Sequence, residues 1–542
     1  MVSIIFLVVK FYLFFTFLYL LGRAFIILIS KFLGQNLTIH SQIQGLDIQI
    51  FFPILGLFFL GNYLFILNYF IPLKSSYTFL ILPFLLINLF EKENKNRLKS
   101  ILWTLPFYII VIISSYDINF HYDAGLYHLN NQLWIRESNI LLGFSNIYGA
   151  FGVSSIYEYL SAFLWFDNSF ILVHFLNIIF VGFLYTFLYY NLSKNKNLAM
   201  YSGSFFIVLY SIFDNVGFGG GRNGFITIQS IGKQDLSISV LFLSVSAILL
   251  TSILKRSYDE KDLVLLTILS LFIFQLKISG FPIIFIYIFY LFKYVKANKI
   301  SVFILLKKLK LYITLVLIWL LKSILHTGCI IFPLEISCVT SLDWVNTNYI
   351  KNIENISVNY SNSYYFNESI ISWAKRYFEL PINLNVFSNF IISVLAFFLI
   401  RKIFFYNKNK ATKNPTTFLL LFFISLFYLR YGPDIRYLSG IMMLGIFSIG
   451  IGYLPKQNLP RILINALLLL SIIMVPKIQS YKSINFDEMP SVLVPEEPMI
   501  ALHERLVPKS GDQCWLNIQC SANLEKYEIN DSTFYKIVSL VD

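Results

Sequence analysis

VFSNFIISVLAFFLI (386–400) and YLSGIMMLGIFSIGIGYL (437–454) contain no charged residue. A helix of about 20 such residues, at about 1.5 Å per residue, crosses the roughly 30 Å hydrocarbon core of a bilayer. Blocks of the same kind recur at 2–30, 51–71, 77–90, 101–115, 170–190, 198–213, 236–254, 262–275, 279–294, 311–327, 416–430 and 461–475. The expectation is an all-α polytopic membrane protein of about fourteen transmembrane helices. The first block, Met1–Ile29, is too long for a secretory signal and lacks a small-residue cleavage site, so it reads as a span, although Lys10 and Arg23 interrupt it.

Composition agrees. Of 542 residues, 57% are hydrophobic and 13% charged, against about 25% charged in soluble domains. Mean hydropathy is +0.69. The formal net charge of +13 collects in short loops, EKENKNRLK (91–99), NLSKNKN (191–197), KRSYDEK (255–261), KYVKANK (293–299) and RKIFFYNKNKATK (401–413). The excess reports membrane orientation and carries no nucleic-acid signal.

With all five clusters on the cytoplasmic side, every crossing between them is satisfied. The segments 116–169, 214–235, 328–385 and 477–542 then face outward. The chain divides into a transmembrane domain, 1–476, and a small outer C-terminal cap, 477–542. All four cysteines fall in the last two outer segments, where two local disulfides, Cys329 to Cys338 and Cys514 to Cys520, are expected. Buried free thiols are the alternative.

The first outer loop is the densest in titratable groups near the membrane, with Asp117, His121, Asp123, His128, Arg136, Glu137 and Glu158. Leu126, Leu129, Leu133 and Ile140 recur at helical spacing, predicting a helix over 124–142 that lies along the interface with Tyr127 and Trp134 at headgroup level. Asp123 then reads either as the N-cap of that helix or, between His121, Tyr127 and His128, as an acid/base or metal-binding carboxylate. A divalent metal is possible there, but the spacing matches no recognised zinc pattern, and no cofactor is called for with certainty.

The stretch YDAGLYHLNNQLWIRESNILLGFSNIYGAFGVSS (122–155) resembles an uncharacterised family of bacterial polytopic membrane proteins. The pieces IGKQDL (231–236), LKISGFP (276–282), SILHTGCIIFPLEISC (323–338), PDIRYLSG (433–440) and CWLNIQC (514–520) resemble it too. That family is similar to the GT-C class of membrane glycosyltransferases. The resemblance implies a GT-C-like bundle in the bacterial inner membrane, with its active face extracytoplasmic. The implied partners are membrane lipids and a lipid-linked sugar donor, from which a sugar passes to a cell-envelope glycan or lipid. It matches the acidic residue of the first outer loop to Asp123, with Asp117 second. The familiar Asp-Asp or Asp-x-Asp form is absent.

Under this reading Asp123 accepts the acceptor's proton and His121 or His128 positions it. The leaving phosphate needs cations. Lys277, Lys322, Arg430 and Arg436 stand near outer span ends, each with a phosphate, a neighbouring acid such as Asp434, or lipid headgroups as its anionic partner. GGGR (219–222) with Arg222 and Lys233 forms either an anion-binding turn or a flexible one. Asp235 either caps the span that follows, pairs with Lys233, or faces the site with Tyr127. No Walker loop or nucleophile elbow is present, which argues against an ATP-driven machine. The rival readings are an O-antigen-type polysaccharide polymerase and a transporter without catalysis. A transporter predicts repeated halves, and none is visible.

Overall fold

The computed structural model describes residues 2–91, 104–165, 170–194, 197–213, 230–232, 234–358, 364–365, 367–405, 435–450, 460–472, 484–502, 505–521, 526–532 and 535–540. Nearly every apolar block within them is helical. Five helices are long and apolar enough to cross a membrane: Val2–Lys31, Ile48–Asn68, Ile171–Ser193, Asp235–Lys255 and Pro381–Leu399. Length and composition thus identify five of the roughly fourteen expected spans among the described residues.

Other blocks fall short in length or carry charge. The apolar helices Ser76–Phe90, Leu105–Asp117, Leu198–Ile212, Tyr437–Gly450 and Ile462–Ile472 are shorter than the hydrocarbon thickness demands of a straight span. Val302–Thr327 is 26 residues long but carries Lys307, Lys308, Lys310 and Lys322. The block 416–430 lies outside the described residues.

Asp235–Lys255 and Ile171–Ser193 form the centre, with 100% and 94% of their most apolar windows buried, whereas Pro381–Leu399 has 22%. That outer helix turns Ile391, Ile392, Leu395, Phe398 and Leu399 outward. An apolar exterior of this kind suits lipid rather than water.

Val2–Lys31 packs against Phe52–Asn68 where Gly22 faces Phe52 and Gly56 faces Leu18, so closely that a side chain on either glycine would strike the partner's backbone carbonyl. Small residues permit such approach where no hydrophobic effect drives helices together. Arg23 does not break this helix. Its buried guanidinium donates to Asn88 Oδ1 at 2.7 Å and Glu91 O at 2.7 Å. Deeper in, Asn62 and Gln275 exchange amide hydrogen bonds of 3.1 and 2.8 Å, tying Phe52–Asn68 to Glu260–Leu276.

The C-terminal segment departs from an all-α description. Met499–Leu502 pairs antiparallel with Arg505–Pro508, and Tyr527–Asp531 with Lys536–Leu540. Both expected disulfides are present, Cys329–Cys338 and Cys514–Cys520.

Candidate functional site

The first outer loop begins at Asn119–Phe120, which pairs in parallel with Ser230–Ile231. His121 N continues that ladder by donating to Ile231 O at 3.0 Å. The pairing seats the loop against the start of helix Asp235–Lys255. There Lys277 Nζ lies 3.0 Å from Asp235 Oδ1 and 4.8 Å from the centre of the Tyr437 ring.

The predicted helix over 124–142 is not continuous. Ala124–His128 is a π turn, Leu129–Glu137 is α-helical, and Ser138 is extended. Asn130, Asn131, Gln132 and Trp134 are buried, Asn130 beneath the C-terminal segment and Gln132 against Glu158 and Trp165. Gly125 O accepts from Cys514 N and Trp515 N, both at 3.0 Å, and a methyl group on Gly125 would meet Gln513 Oε1 at 2.5 Å. Asn130 Nδ2 donates to Asn517 O at 2.5 Å, and Ser521 Oγ to Ile147 O at 2.6 Å.

Asp123 lies in the first turn of a helical segment that begins at Tyr122, its backbone N donating to His121 Nδ1 at 3.2 Å, and its side chain makes no capping bond. Instead Oδ2 lies 3.2 Å from His121 Nδ1, each side chain about one quarter exposed. Tyr127 links this pair to the interior. Burial pushes its phenol well above the ordinary tyrosine range, Lys277 pulls it back, and Asp123, Tyr437 and Glu158 add to the rise. Asp123 of the loop and Lys277 of the helical bundle therefore both act on this hydroxyl.

His128 faces the other way. Its Nδ1 lies 2.5 Å from Glu158 Oε1, with 7% and 5% of the two side chains exposed. Glu158 also accepts from Gln234 Nε2 at 2.5 Å and from Gln132 Nε2 at 2.7 Å. Each amide is itself held, Gln132 Oε1 by Trp165 Nε1 at 3.0 Å and Gln234 Oε1 by Ser155 Oγ at 2.8 Å. Glu158 was visible in the sequence as one acid among several. Nothing local in the sequence marks its role or those of Gln132 and Gln234, which meet it only in the fold.

The expected cations divide. Lys277 has Asp235 as its acidic neighbour. Lys322 is buried with Nζ 3.1 Å from Ser154 Oγ, between the rings of Tyr159 and Trp319, and phosphate is not needed to account for it. A cleft of about 40 Å³ beside it, lined by Ser154, Ile278, Trp319, Ser323 and Phe332, has room for water and not for a sugar. Asp117 is exposed at the end of the helical segment before the strand. Arg222, Lys233, Arg430, Asp434 and the Arg436 side chain lie outside the described residues. Among the described residues no three His, Cys, Asp or Glu side chains converge as a metal site.

A family described as a domain of unknown function (DUF8201) matches residues 1–443, and the chain belongs to that family. No curated protein and no solved structure matches the chain.

Proposed function

From the geometry of its first long loop, we propose a membrane glycosyltransferase that moves a sugar from a polyprenyl-phosphate donor to a cell-envelope glycan or lipid acceptor. The loop 116–169 and the C-terminal cap face the extracytoplasmic side, on a GT-C-like bundle of about fourteen spans. A donor dissolved in the membrane reaches this face, whereas a cytoplasmic nucleotide sugar does not.

The observation that carries the reading is Asp123. A carboxylate at a helix start normally caps it. This one is turned to His121, partly exposed, beside a phenol that also feels Lys277. In an inverting transfer, Asp123 engages the acceptor hydroxyl as the anomeric carbon separates from phosphate. Lys277, held by Asp235, lies on the side from which a lipid phosphate enters. The carboxylate–imidazole loop favours this reaction over a polymerase resting on outer-loop arginines.

The test is transfer of radiolabelled sugar from polyprenyl phosphates to membrane acceptors by the purified protein and its Asp123→Asn variant. Transfer by the wild type and a loss of at least 10²-fold in the variant support the reading. Equal transfer removes Asp123 from the reaction.

A further inference from the structure

We propose that the acceptor's proton is taken by His128, held as a base by Glu158, rather than by Asp123; this rests on the transferase reading above. Glu158 is a carboxylate surrounded by three donors: His128 Nδ1, Gln132 Nε2 and Gln234 Nε2. Ionised carboxylate oxygens accept only, so the His128 proton sits on Nδ1 and the lone pair on Nε2. Gln132 cannot swing to offer Glu158 its oxygen, because Trp165 Nε1, which only donates, engages that oxygen. The tautomer is fixed two shells out.

Among the described residues Nε2 has no hydrogen-bond partner, yet it is not one of the sealed, unpartnered polar atoms, so it is the reachable edge of the ring. In an α-helix, residues five apart lie about 140° round the axis. The π turn Ala124–His128, with Leu129 N bonded to Ala124 O, brings positions five apart toward one face, and π turns concentrate at functional sites. Tyr127 packs its ring against His128, the centres 4.1 Å apart, and its phenol feels both Asp123 and Glu158.

In the transfer, the acceptor O–H proton passes to Nε2 as its oxygen bonds the anomeric carbon. The bond from that carbon to phosphate breaks, and its electron pair leaves on the phosphate oxygen. Nδ1 keeps its proton, and Glu158 stabilises the imidazolium. Asp123 orients the hydroxyl.

Two measurements on the full-length protein in nanodiscs test this. Glu158→Gln is expected to lower kcat by about 10²- to 10⁴-fold and to displace the acid limb of the pH profile, with Glu158→Asp restoring part of both. ¹⁵N spectra of labelled histidine, with the His128 signal identified by its loss in His128→Asn, are expected to show the Nδ1–H tautomer in the wild type and not in Glu158→Gln. A folded Glu158→Gln with wild-type kcat and an unmoved acid limb overturns the assignment, as does an Nε2–H tautomer in the wild type. Absence of transfer by the wild type overturns the reaction itself, while the tautomer spectrum judges the Glu158 role separately.

Discussion

Tyr122 places its hydroxyl 2.5 and 2.6 Å from the two carboxylate oxygens of Asp512, 390 residues further along the chain. The residue beside the candidate acid is thereby tied to the C-terminal cap. The hydrogen bond to Asp512 is the main cause of a raised Tyr122 pKa, with desolvation and the charges of Asp512 and Asp123 adding to it.

A tyrosine whose folded pKa is raised contributes stability that is fully present below its unfolded value, about 10, and lost as pH rises through the folded value. Attachment of the cap is therefore expected to weaken in strong alkali. Limited proteolysis of the C-terminal segment from pH 8 to 11.5 should show cleavage rising at the top of this range. In Tyr122→Phe the Tyr122 contribution to that rise is absent, and a profile identical to wild type would refute it.

The Cys514–Cys520 link closes a short loop whose backbone N–H groups grip Gly125 O. Closing a loop of this size stabilises by about 2 kcal/mol on chain-entropy grounds. Cys514→Ser with Cys520→Ser is expected to expose residues 505–521 to hydrogen exchange while leaving the helices protected. Unchanged exchange at Cys514–Trp515 would show that the disulfide does not hold the cap.

Lys277 and Asp235 form a largely buried pair. Removing one partner leaves the other charge without it, at a cost of about 3–5 kcal/mol. Lys277→Met alone should lower thermal stability in lipid nanodiscs more than Lys277→Met combined with Asp235→Asn. Additive losses in the two single variants would mean the pair is not coupled.

The topology is checked with single cysteines, the four native ones being disulfide-bonded. An impermeant maleimide added to intact cells should label Ser510→Cys, and should label Asp259→Cys only after the membrane is opened. The reverse pattern would invert the orientation and remove the lipid-linked donor from reach of Asp123.

What the sequence disclosed depends on whether a residue's role is local. Apolar blocks such as 171–193 declare themselves, since burial in lipid or protein needs only a continuous apolar run. Cys329 and Cys338, nine apart, and Cys514 and Cys520, six apart, were legible for the same reason. Span number was not, because a block of about 15 apolar residues reads alike whether it crosses a bilayer or fills a protein core. The Leu126–Ile140 periodicity was real but misassigned its polar face, since nothing near Asn130 in sequence announces that Asn517 covers it. Glu158 stood in the sequence as one acid among several. Its partners, Gln132 and Gln234, lie 26 and 76 residues away, and only folding brings their amides together.

The docking of residues 512–521 and 536–538 onto Gly125, Leu142 and Ile147 has a consequence for biosynthesis. The ribosome delivers the Asp123 loop hundreds of residues before the segment that closes over it. The intervening chain must be made before Gly125 O meets Cys514 N. During that interval Asn130 and Trp134 face water, and the loop has no roof. The site is the last part of this protein to assemble, so a chain stalled during synthesis carries the acid but not the enclosure that orients it.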